Sequence, residues 1–305
     1  MSTEVYRDQV KLLLDILPLV MEEEVFALKG GTAINLFEWE LPRLSVDIDL
    51  TYLPNQGREE SLQAISEALD RISAEIERRL PPTKITKPAQ GNEQMEVKLN
   101  CQRFRTQVKI EVNPTLRGHI MPTRTMDCSE PVQEQFEAFA QARVISQGEL
   151  FGGKICAALD RQHPRDLFDV KLMLDRFGFT EEIKLGMIAA LVSHGRPIIE
   201  ILNPTAKDQR DVYKSKFEGM TKLSFTYDDH ASTLDRLRKT LRSGLTVNDR
   251  AFLRSFTGGE PEWKRFPIEA LSELPAPQFK LRNILKFKED QPKRFAESIT
   301  AFDQY

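Results

Sequence analysis

One short run constrains this chain more than any other: VDIDLTY, Val46 to Tyr52, in which apolar and polar residues alternate without a break. A period of two belongs to an extended strand. Val46, Ile48, Leu50 and Tyr52 then face one way, and Asp47, Asp49 and Thr51 the other. Such a strand fits a sheet with one face on a core and one face open. It also sets two carboxylates side by side. Like charges this close repel, and a divalent cation offsets them directly. Mg²⁺ prefers carboxylate and phosphate oxygen. An edge strand with a solvated face can carry Asp-x-Asp without any metal, so the pair alone does not decide the matter.

The residues upstream sharpen it. VFALKG reads as a short buried strand that stops at Gly30-Gly31, and TAINLFEWE as a helix with Thr32 as its N-cap. LPRLS is a loop back to the alternating strand. Paired glycines before a helix start leave backbone N–H groups uncovered, which suits a phosphate. Either half is common in a purely structural role. Together, in this order, they make a phosphate cradle facing a carboxylate pair.

Around this core the periodicity predicts a helix over residues 3–20 and an amphipathic helix in REESLQAISEALDRISAEIERRL, ended by Pro81-Pro82. Two strands follow, MEVKLNCQ and TQVKIEVNP, joined as a hairpin through RFR. Glu111 alternates with Ile110 and Val112 and leaves the apolar face. It is either a surface residue of a half-buried strand or a third carboxylate beside the pair. From residue 131 the pattern turns helical: PVQEQFEAFAQARV, GELFGGKICAALDRQ, PRDLFDVKLMLDRF, TEEIKLGMIAALVSHG and ASTLDRLRKTLRSG. The expected organisation is α+β, with a mixed-sheet domain over residues 1–130 and a mostly helical domain over 131–305. His163, before Pro164, reads as a loop residue, and KFKEDQPKRF as a solvated surface.

Composition excludes several classes. A net charge of −3 rules out a general nucleic-acid coat, and three scattered cysteines rule out a disulfide framework or a Cys-based zinc site. The N-terminus lacks a signal peptide, and VKLLLDILPLV is too short and too broken to span a bilayer, so the expectation is a cytoplasmic chain with no membrane partner. Within this acidic chain, Lys98, Arg103, Arg105, Lys109, Arg117 and Arg124 stand against the single acid Glu111. That cluster reads either as an RNA-facing patch or as a basic hairpin docked on acidic helices such as TEEIKLG.

The Gly-Gly turn, helix and Asp-x-Asp strand resemble the DNA polymerase β-like nucleotidyltransferases. More closely, LKGGTAINL and RLSVDIDLTY resemble the AbiEii-type toxins of bacterial toxin–antitoxin and abortive-infection systems. That family's Arg-x-Ser-x-Asp-[Ile/Leu]-Asp is met by Arg43, Ser45, Asp47, Ile48 and Asp49. The resemblance implies a polymerase β-like mixed sheet with flanking helices, followed by a helical domain that contributes Lys154 and Asp166 to the site. It implies Mg²⁺ or Mn²⁺ on Asp47 and Asp49, with Glu111 as a further ligand. An NTP would lie against Gly30, Gly31, Thr32, Arg43, Ser45 and Lys154. The family places a lysine on one helix and an aspartate at the start of the next. Lys154 matches the first. Asp166 and Asp169, on one helical face, both remain candidates for the second. The implied reaction moves NMP from an NTP to an RNA acceptor, a tRNA 3′ end, and blocks translation. The implied partner is an AbiEi-type antitoxin. A small-molecule or protein nucleotidyltransferase, a metal-dependent glycosyltransferase and a non-catalytic nucleotide-binding regulator are the alternatives.

Overall fold

The computed structural model describes residues 3–87 and 97–305; the expected strand start at Met95-Glu96 lies outside them. The chain divides into two compact units, residues 1–118 with 122–146, and residues 119–121 with 147–305. The compositional change at residue 131 thus precedes the division between units, because a helix and a strand that follow it belong to the first unit.

The first unit begins with α1 (Thr3–Met21) and β1 (Phe26–Lys29), then the short α2 (Gly30–Ala33), which widens into a π turn over Ile34–Glu38. Next come β2 (Asp47–Tyr52), α3 (Arg58–Arg79), β3 (Lys84–Thr86), β4 (Val97–Arg103), β5 (Thr106–Val112), β6 (Arg124–Asp127), α4 (Glu130–Phe136) and β7 (Gln141–Val144). The strands form one mixed sheet in the order β3-β4-β5-β2-β1-β7-β6. β2 runs antiparallel to β1 and parallel to β5. One face carries Leu28, Ile48, Leu50, Leu99, Cys101, Val108, Ile110 and Val112, all fully buried, with α1 and α3 packed on the strands. α3 meets the core with Ile65, Ala68, Leu69, Ile72 and Ile76, the three-and-four spacing of one helical face.

Two expectations are corrected. Thr32 is not an N-cap: the helical turn starts at Gly30, with Lys29 at the cap position. PVQEQFEAFAQARV is not one helix. α4 stops at Phe136, Glu137 adopts φ 51°, and Gln141–Val144 is a strand pairing parallel to β1. Antiparallel pairing with β6 and parallel pairing with β1 override the local helical pattern.

The second unit is helical: α5 (Gln147–Arg161), α6 (Pro164–Arg176), α7 (Glu181–Ser193), α8 (Ile198–Leu202), α9 (Arg210–Lys216), α10 (Tyr227–Gly244), α11 (Val247–Thr257), α12 (Pro275–Asp290) and α13 (Pro292–Asp303). α5 and α7 cross at glycines. A Cβ on Gly186 would lie 2.0 Å from the Gly148 carbonyl oxygen, and one on Gly152 would lie 2.2 Å from the Met187 nitrogen. His163 is more than a loop residue: its Nδ1 accepts the Arg165 N–H at 3.1 Å and caps α6. The charged C-terminal stretch forms the end of α12 and the start of α13. Among the described residues no helix is long and apolar enough to cross a membrane.

Candidate active site

The Gly-Gly-Thr turn and the Arg43–Asp49 segment fold onto each other within the first unit. Gly30 has φ 76°, and a Cβ there would stand 2.2 Å from Asp49 Oδ2, so only glycine lets the turn approach that carboxylate. A Cβ on Gly31 would stand 2.7 Å from Ser45 Oγ and 3.0 Å from Arg43 Nη2. Thr32 is fully buried; its hydroxyl donates to the Asp47 carbonyl at 2.5 Å and lies 3.2 Å from Ser45 Oγ. Thr32 therefore braces the turn from behind. Arg43 is also buried and donates from Nη1 to the Leu44 carbonyl at 2.8 Å. The Ser45 N–H donates to the Tyr6 hydroxyl at 3.3 Å, and burial pushes that phenol up to about 12. Tyr6 is a support the sequence reading missed; helix periodicity alone gives it only a place in α1.

Asp47 and Asp49 are half-buried and share the sheet's open face. Register partners across a sheet point to the same side. One row is thus Lys29, Asp49, Glu111 and Lys98, and the next is Asp47, Lys109, Asn100 and Thr86. Lys98 and Lys109 come from the basic cluster; Lys29 was not anticipated, because its signal is a register with Asp49 that only the fold reveals. Glu111 is the register partner of Asp49, and its carboxylate lies 3.3 Å from Lys98 Nζ. Among the described residues no three His, Cys, Asp or Glu side chains converge as a metal cage. The donors that fit a hard cation are the Asp47–Asp49 pair. Mg²⁺ commonly takes one or two carboxylates and fills its shell with water and substrate phosphate. At Gly30 the backbone lies beside Asp49 with no side chain between them.

The second unit gathers Lys154, Asp166 and Asp169. Lys154 Nζ lies 3.0 Å from Asp166 and 3.1 Å from Asp169, and Arg161 holds Asp166 at 2.5 Å and 2.9 Å. Side-chain exposure is 9% for Lys154, 1% for Asp166 and 0% for Asp169, so this is a buried charge network. Burial alone would raise the Asp166 carboxyl. The Lys154 ammonium and the Arg161 guanidinium outweigh it and hold that carboxyl well below the usual carboxylate range. Both candidate aspartates therefore engage Lys154.

The basic cluster is largely spoken for. Lys98 pairs with Glu111, Arg103 with Asp15 on α1 at 3.2 Å, and Arg124 with Glu38; Arg117 is buried and donates to the Pro114 carbonyl.

These features can be set against known proteins. The sequence model of the family described as "Nucleotidyl transferase AbiEii toxin, Type IV TA system" matches residues 11–281. The chain belongs to the AbiEii nucleotidyltransferase toxin family. It is therefore a nucleotidyltransferase of a toxin–antitoxin system, and the family implies an antitoxin partner. Among solved structures, it resembles MenT4, a nucleotidyltransferase toxin from Mycobacterium tuberculosis H37Rv, with a TM-score of 0.60 and 13% identity over 83% of this chain and 89% of that one. At that identity the likeness is one of fold, and it agrees with the α+β architecture expected. No curated protein sequence matches the chain.

Proposed function

We propose that this AbiEii-family nucleotidyltransferase transfers NMP from an NTP to an RNA hydroxyl, with a divalent cation held by Asp47 and Asp49. The observation that carries this reading is the Gly30–Gly31 turn closed against a same-face carboxylate pair. In the reaction the acceptor hydroxyl gives its proton to solvent, its oxygen bonds to the α-phosphorus, the bond from that phosphorus to the α–β bridging oxygen breaks, and pyrophosphate leaves. A cation bound by the pair would neutralise triphosphate charge and acidify the acceptor hydroxyl. The chain's own part is to fix the two carboxylates on a rigid strand, brace the turn through Thr32 and Ser45, and present uncovered backbone to the phosphates. Lys29 and Lys109, in register beside the pair, add positive charge to that face. A tRNA 3′ end is the acceptor that the family resemblance implies, with an AbiEi-type antitoxin as the partner.

The test is incubation of the full chain with each labelled NTP and total cellular RNA, in Mg²⁺ and in chelator. Label should enter RNA in Mg²⁺ alone. Label that enters only small molecules or protein would replace the RNA acceptor with another. Transfer that is unaffected by chelator would remove the cation from the account.

A further inference from the structure

The open face of the sheet continues past the carboxylate pair along the β4–β5 hairpin. Three rungs can be read from the register. Lys98 pairs with Glu111, Asn100 with Lys109, and Gln102 with Gln107; Thr86 and Lys84 of β3 extend the second and third rungs outward. Gln102, Gln107, Lys109, Lys84 and Thr86 are exposed. Among the described residues of β3, β4 and β5, Glu111 is the one carboxylate, and it belongs to the row of the pair. Among the described residues Lys84, Arg105 and Lys109 have no ion-pair partner, whereas Lys98 and Arg103 do. What remains is a strip of amides and unpaired cations.

The strip ends in an unusual turn. Arg103 pairs with Thr106, so the loop is two residues, Phe104-Arg105. Phe104 has φ 56°, in the first loop position where tight hairpins ordinarily put glycine, asparagine or aspartate. Phe104 is 75% exposed. Gln102 Nε2 donates to the Phe104 carbonyl at 3.2 Å and so helps hold the turn. A phenyl group in a disfavoured backbone conformation, exposed to solvent and flanked by arginines, is hard to explain by folding alone. From Lys109, level with Asp47, the strand runs about 10 Å to Thr106 at three residues.

We infer that this hairpin guides a single-stranded RNA acceptor toward Asp47 and Asp49, with Phe104 stacking on a base and Lys84, Arg105 and Lys109 meeting the backbone. Proteins that hold single strands combine these two elements, an aromatic platform and a positive track. The amides of Asn100, Gln102 and Gln107 offer donors and acceptors to base edges. Charge complementarity commits the face to a polyanion, and the exposed ring commits it to one with unstacked bases, since paired bases offer no free ring face. The inference rests on the reading that the acceptor is RNA.

The test uses the full chain, a labelled single-stranded oligoribonucleotide, and the same strand annealed to its complement. Binding is read by anisotropy, and nucleotidyl transfer to the single strand by kinetics. Phe104→Gly removes the ring while relieving the backbone, so its melting temperature should not fall. It should weaken single-strand binding about tenfold, raise KM for RNA and leave kcat and the KM for NTP in place. Phe104→Tyr should restore binding. Lys84→Glu with Arg105→Glu should weaken binding and flatten its salt dependence by about 1.4 in the log–log slope for two phosphate contacts. Equal binding by wild type and Phe104→Gly, or duplex bound as tightly as single strand, overturns the guide. If wild type labels RNA and Phe104→Gly labels it with the same KM, the guide alone is wrong. If wild type labels no RNA at all, the acceptor reading falls and the guide falls with it.

Discussion

Gly30→Ala tests the central geometry without any substrate. The new Cβ would be 2.2 Å from Asp49 Oδ2 and 3.0 Å from both Asp49 Cβ and Cγ, at a φ of 76°. The left-handed backbone costs alanine about 1 kcal/mol, and forcing a methyl into occupied space costs about 1–3 kcal/mol. The sum is a loss of about 2–4 kcal/mol by these terms. Asp49→Ala removes Oδ2 and Cγ but leaves the Cβ at 3.0 Å. In that background only the backbone cost and a residual contact remain, so Gly30→Ala should cost about 1–2 kcal/mol. The coupling between the two changes is then about 1–2 kcal/mol in favour of the double variant. The chain has two tryptophans, Trp39 in the first unit and Trp263 in the second. A Trp263→Phe background lets Trp39 fluorescence report unfolding of the first unit in urea. A Gly30→Ala cost below about 0.5 kcal/mol, or equal costs in both backgrounds, would refute the close approach.

Other predictions concern the second unit. Lys154→Met strips the ammonium from between two buried carboxylates and should cost about 3–5 kcal/mol in unfolding followed through Trp263; Asp169→Asn in that background should restore part of it, and an unchanged midpoint would show that the network carries no stability. Burial, with Arg165 and Arg161 adding to it against a smaller opposing effect of Asp166, holds His163 at about 4, below the ordinary value of about 6.5. A depressed imidazole means the unfolded state binds the proton first, so its contribution is complete above about 6.5 and is lost as pH falls toward about 4. His163→Asn keeps a capping side chain without titrating, so its stability relative to wild type should rise across that window; a constant difference would contradict the cap. Gly186→Ala should cost more than about 2 kcal/mol by pushing α7 off the Gly148 carbonyl, while Gly153→Ala, with open space around it, should stabilise α5 by about 0.5–1 kcal/mol in the same denaturation assay.

The parts of the fold that were legible are those whose cause is local. Alternation from Asp47 to Tyr52, the apolar stripe of α3 and the prolines after it are properties of adjacent residues, and each marks its element in the structure. β7 was hidden because Gln141–Val144 becomes a strand only by pairing with β6 on one side and with Leu28 of β1 on the other. Thr32 was read as a cap because its hydroxyl could reach the following N–H groups, but the Asp47 carbonyl, fifteen residues away, takes that hydrogen. The basic cluster shows the same limit. Counting charges from Lys98 to Arg124 cannot reveal that Asp15 and Glu38 have already claimed Arg103 and Arg124. The question of Asp166 against Asp169 assumed one partner for Lys154, yet a helical spacing of three places both within reach of one ammonium.

The most direct measurement is nucleotidyl transfer by wild type and by Asp49→Asn, run with the same labelled NTP in Mg²⁺, with the urea midpoint of the first unit recorded for each. The substitution keeps the side chain's shape and removes its charge. The account predicts that transfer is lost while the midpoint stays close to that of wild type, because Asp49 lies on the open face. Undiminished transfer by Asp49→Asn would contradict it.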